Sequence, residues 1–93
     1  MIRVANDRIA VEGSMTLPGA TALLNEGKAL LAQGVTVVDL AGVTEVDSSG
    51  ISVVFGWLRA ARDAGKSIRI TNVPANFISL AEVYGVTEQL PLG

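Results

Sequence analysis

Apolar residues in this chain change their spacing several times, and the order of those changes limits the fold more than any other feature. VTVVDL, residues 35–40, is a β-branched run with little polar alternation, the pattern of a strand covered on both faces and therefore central in a sheet. Before it, Ala20, Leu23, Leu24, Gly27, Leu30 and Leu31 recur at helical spacing behind Pro18, which suits a first helical turn, and Gly34 closes the segment. Gly27 falls on the apolar side, where a missing side chain lets the helix approach the sheet closely, at a cost of about 1 kcal/mol relative to Ala. After the run, a second helix is expected from Ile51 to about Ala64, ended by Gly65. SIRIT then alternates with Ile68 and Ile70 inward, and Pro74 opens a third helix whose Phe77, Leu80, Ala81 and Tyr84 share a face before Gly85.

At the start of the chain, Ile2 and Val4, then Ile9 and Val11, alternate on either side of Asn6 and Asp7, a pair that tolerates a tight turn. This reads as a hairpin. Strands separated by helices of this length need crossovers, so a small mixed sheet with about three helices packed on it is the expected α/β architecture. Ninety-three residues close around one core, which makes a single domain over residues 1–93.

Composition narrows the function. The chain is 49% hydrophobic and 17% charged with a formal net charge of -2, so it offers no basic field for nucleic acid. It contains no cysteine and no histidine, which removes disulfides, thiolate metal sites and the commonest general base and metal ligand. No cofactor and no metal are expected. No stretch reaches the roughly 18 uncharged apolar residues of a membrane span, and the amino-terminal MIRVANDRIA lacks a signal-type apolar core. A cytoplasmic protein without direct membrane insertion is the expectation.

The stretch VDSSGIS, residues 46–52, concentrates the polar chemistry at the junction of a strand and a helix. A nucleophilic serine needs a base in reach, and neither Lys28 nor Lys66 has a context that suggests burial. Asp39, Glu45 and Asp47 as carboxylates at strand and loop ends are the ordinary material of caps rather than a hard-metal cluster. Phosphate binding at the helix start is weakly supported, since the lysine of a phosphate-binding loop is missing and Asp47 repels anions. Local chemistry favours a plain cap by Ser48 or Ser49 with Gly50 easing the turn. Its rival is a recognised or phosphorylated serine, where added charge would oppose Asp47. In the helix that follows, Val53, Trp57, Ala60 and Ala64 form a second apolar stripe beside the core stripe of Ile51, Val54, Phe55, Leu58 and Ala61. That stripe is either a wide buried face or a surface for a partner.

VVDLAGVTEVDSSGI followed by a helix, a short strand and a last helix resembles the STAS domain of anti-sigma factor antagonists and sulfate transporter tails. FGWLRAARDAGK and SLAEVYGVTEQLPL are most similar to the MlaB-type cytoplasmic subunit of the Mla phospholipid ABC transport system. The resemblance implies a STAS-like fold and a non-catalytic subunit that binds and regulates or steadies an ABC transporter ATPase. Docking is then through Ser48, with Asp47, Ser49 and Gly50 supporting it and Val53, Trp57 and Ala60 as a possible partner surface. The segment from Gly13 to Pro18 lines the same rim by that analogy, and the protein is peripheral at the inner membrane through its partner. In the other branch of the family, the resemblance makes Ser48 the acceptor of phosphate from a partner serine kinase, in an antagonist of an anti-sigma factor.

Overall fold

In the computed structural model, residues 2–5 and 8–86 are described. Strand β1, Ile2–Ala5, pairs antiparallel with β2, Arg8–Met15. A 3-10 turn at Leu17–Gly19 leads into helix α1, Ala20–Ala32. Strand β3, Val37–Val46, is followed by α2, Ser48–Asp63, then β4, Arg69–Thr71, and α3, Ala75–Val83. The sheet order is β1-β2-β3-β4, with β2 parallel to β3 and β3 parallel to β4. The expected hairpin is present, although Asn6 and Asp7, read as its turn, lie outside the described residues. The tail from residue 87 lies outside them as well.

Register explains where the core sits. Ile9 is opposite Val38, which is opposite Ile70, and all three are buried, so their side chains share one face of the sheet. Leu23 and Leu31 of α1, Val54 and Trp57 of α2, and Phe77 and Ala81 of α3 join the same cluster. All three helices therefore cover that one face. On the other face, the row Arg8, Val37, Arg69 is exposed or half-buried, and Arg3 pairs with Glu12 at 3.3 Å. The double coverage expected of residues 35–40 is thus corrected. The strand is interior and flanked on both edges, and its apolar outer residue Val37 stands half-buried between Arg8 and Arg69 in the register.

Two further expectations change. Tyr84, placed on the buried face of the third helix, is 55% exposed because the helix ends at Val83 and Tyr84 belongs to its terminal turn. Gly27 admits not the sheet but Trp57: a side chain there would put its Cβ 2.1 Å from the indole nitrogen. The two helices meet at that point, and the indole N–H donates to the Leu24 carbonyl at 3.1 Å.

Candidate functional site

Because β2 and β3 run parallel, both end on the same side of the sheet, and α1 and α2 both start there. Asp47 is the residue that joins the two ends. It is the N-cap of α2, with Oδ1 accepting from the Ser49 amide at 2.8 Å, while Oδ2 accepts from the Leu17 amide at 3.0 Å across thirty positions of sequence. Its own amide donates to the Met15 carbonyl at 3.3 Å. One residue thereby fastens the start of α2 to the end of β2 and to the turn that opens α1. The Leu17 amide chiefly, helped by the Ser49 and Gly50 amides and the Ser49 hydroxyl, holds the Asp47 carboxyl below its ordinary value against an opposing desolvation.

The cap is therefore Asp47, and the expected cap by Ser48 or Ser49 is corrected. Asp caps as well as Ser does and stands one residue earlier, where the backbone is still extended. This frees Ser48. It is the first residue of α2 and exposed, and its hydroxyl makes no hydrogen bond with the described residues. Ser49 is half-buried and turned toward Asp47. Gly50 does more than ease a turn: a Cβ there would lie 2.5 Å from the Met15 carbonyl oxygen and 2.6 Å from Val46 Cγ2. Only glycine lets α2 start this close to β2 and β3.

The arrangement is poorly suited to activate a nucleophile or to hold an anion. Both Asp47 oxygens are occupied by amides and its carboxyl is held ionised, so it is a poor base for the Ser48 hydroxyl. The amides of Gly50 and Ile51 donate to the Asp47 carbonyl at 3.0 and 3.4 Å, and that of Ser49 to its side chain, so the first turn has few donors left for an anion. Asp39 does not join the site. It accepts from the Ala41 amide and from Asn72 on the open sheet face. Among the described residues, no group of three acidic or metal-ligating side chains could hold a metal ion.

The proposed partner stripe on α2 is corrected as well. Trp57 is 0% and Val53 3% exposed, and Ala60 is half-buried. Trp57 lies in the core because Gly27 leaves room for its ring and Leu24 accepts its N–H. The rim segment is corrected in part, since β2 continues through Met15 and the exposed turn is confined to Leu17–Gly19. Sequence reasoning did not single out Leu17, which is 72% exposed and tied by its amide to Asp47. An apolar residue outside both flanking periodicities, next to Pro18, was the available signal.

A small hollow opens beside Ser48 between the first turns of α1 and α2. It has a volume of about 190 Å³ and is lined by Ala20, Thr21, Leu24, Ser49, Ser52 and Val53. No helix among the described residues is long and apolar enough to cross a membrane.

Comparison with known proteins agrees with this geometry. The anti-sigma factor antagonist SpoIIAA in its unphosphorylated form is 16% identical with a TM-score of 0.68, and the match covers 99% of this chain and 84% of that one. A candidate anti-sigma factor antagonist from Thermotoga maritima is 11% identical with a TM-score of 0.76, covering 99% and 83%. At those identities the likeness is one of fold. No curated protein matches the sequence. The family model that does match is that of the MlaB STAS domain, over residues 2–92. A four-stranded mixed sheet, three helices on one face and a match across almost the whole sequence lead to one conclusion: the chain belongs to the STAS domain family, in its MlaB-type division.

Proposed function

We propose that this protein is a non-catalytic subunit that docks on the ABC ATPase of an Mla-type phospholipid transport system, with Ser48 at the centre of the contact. The observation that carries the reading is the division of labour at the head of α2. Asp47 does the capping, which leaves the exposed Ser48 hydroxyl with both its donor and its acceptor capacity unused. A serine held in a fixed position by a neighbour's cap is preorganised for a partner and loses little freedom on binding. The MlaB description of the matching family supports a transporter subunit, and the ATPase is the partner proposed on the resemblance noted in the sequence.

A second reading rests on two of the fold neighbours, one named as an antagonist of an anti-sigma factor and one as a candidate antagonist. In it, Ser48 accepts phosphate from a serine kinase. A phosphate there would meet the ionised Asp47 carboxylate and a first turn whose amides are largely engaged, so it would stand off from the surface and repel whatever binds the bare hydroxyl.

The test is affinity purification of tagged protein from its own cells with detergent-solubilised membranes, comparing wild type with Ser48→Ala. The expected result is an ABC ATPase with its permease, reduced at least tenfold in the variant at an unchanged Tm. A kinase or sigma regulator in its place, with phosphate on Ser48, establishes the second reading. Undiminished recovery by Ser48→Ala removes that residue from the contact.

A further inference from the structure

We propose that the hollow between the first turns of α1 and α2 is an anchor pocket that takes one uncharged side chain, of about leucine or methionine size, from a protein partner. The inference rests on the docking reading and names the feature on which that docking turns. Size comes first. At about 190 Å³ the hollow lies below the roughly 300–1,000 Å³ of small-molecule sites. It is too small for a nucleotide and large enough for a single side chain.

The lining decides the chemistry. Ala20, Leu24 and Val53 supply apolar floor, and the hydroxyl residues Thr21, Ser49 and Ser52 complete the lining. None of the six carries a charge, so an ionised side chain inserted here would lose its water and gain no counterion. An apolar one brings no charge to desolvate and packs on Ala20, Leu24 and Val53. The floor is also fixed in place: Leu24 lies over Gly56, where a Cβ would be 2.5 Å from Leu24 Cδ1, and the Leu24 carbonyl holds the buried Trp57 indole. The pocket therefore exists before the partner arrives.

Position favours a protein over a lipid surface. Ser49 of the lining is the residue whose amide Asp47 caps, so the hollow adjoins Ser48, and exposed Leu17 is fastened to the same carboxylate. Among the described residues, the other large exposed apolar side chains, Val4, Val83 and Tyr84, belong to β1 and to the end of α3. What this end offers is one socket with a polar contact beside it, the pattern of an interface anchor rather than of a membrane-binding face.

The experiment adds bulk and charge at the rim and leaves the floor alone. Thr21→Lys and Ser52→Lys, both at exposed positions, are compared with Ser79→Lys on the exposed side of α3, with Ser48→Ala and with wild type. Each is used as bait on native solubilised membranes, with melting curves to confirm the fold. The expected outcome is at least a tenfold loss of the wild-type partner for both rim variants, none for Ser79→Lys, and an unchanged Tm throughout. If both rim variants retain the partner, the pocket is overturned, and Ser48→Ala then decides the docking reading separately. Should the wild-type partner be a kinase or sigma regulator, the transporter reading falls while the same rim variants still decide the pocket. Recovery of no protein partner, or native mass spectrometry showing a small molecule bound that Ser52→Lys expels, overturns the proposal.

Discussion

Asp47 is the residue on which the site depends, and its charge gives that dependence a measurable sign. Its carboxyl is held below its ordinary value of 3.8 in the folded protein, chiefly by the Leu17 amide. The folded form therefore binds the Asp47 proton more weakly than the unfolded form does. Stability from this source is fully present above the ordinary value and is lost as pH falls through the lower folded one. Thermal melts followed from about pH 6 to about pH 2 should show part of the acid destabilisation disappear in Asp47→Asn, since Asn caps a helix as well but does not titrate there. An acid limb identical to wild type would mean that the contact with Leu17 contributes nothing. Ser48 should behave in the opposite way. With its hydroxyl outside the cap, Ser48→Ala should stay within about 0.5 kcal/mol of wild type, so any loss of partner binding reflects contact rather than folding.

Between elements, the closest approaches are made by missing side chains. Gly50 brings the first turn of α2 against the end of β2, with the Met15 carbonyl where a methyl would go. In an open helix Gly→Ala gains about 1 kcal/mol. Here the methyl would meet a backbone oxygen that cannot rotate away, so Gly50→Ala should instead destabilise by about 1–3 kcal/mol, lowering Tm by about 4–8 °C for each kcal/mol. A neutral or raised Tm would refute that reading of the contact. The elements themselves are legible in the sequence. Residues 20–31, 35–40 and 51–64 announced helix, strand and helix through spacing alone, and Gly34, Gly65 and Gly85 stand at the helix ends as expected, with positive φ. The site's chemistry was legible only as a cluster. Asp, Ser and Ser are all competent caps, and what chose Asp47 was the Leu17 amide, a partner thirty residues away that no local pattern encodes. The faces of α2 were ambiguous for a similar reason: whether Trp57 points in or out is decided by Gly27 on another helix.

Across the whole molecule, Trp57 is the largest fully buried side chain and sits in the one core cluster shared by the sheet and all three helices. Replacing such a residue by Ala costs about 3–5 kcal/mol, while a chain of this length has about 5–14 kcal/mol in all at ~0.05–0.15 kcal/mol per residue. Trp57→Ala should therefore melt far below wild type or fail to fold at the temperature of growth, and a Tm within a few degrees of wild type would contradict its place in the core. The indole is not, however, independent of its surroundings. Any side chain at residue 27 collides with it, and the ring fills the space that the glycine leaves. Mutational change at the two positions is thus ordered in time: an alanine arriving at 27 first meets the full indole, whereas one arriving after the ring has shrunk to phenylalanine occupies vacated space. Among descendants of such a chain, the pair should covary in that direction, and a Gly27→Ala, Trp57→Phe double variant should be more stable than the two single losses added together.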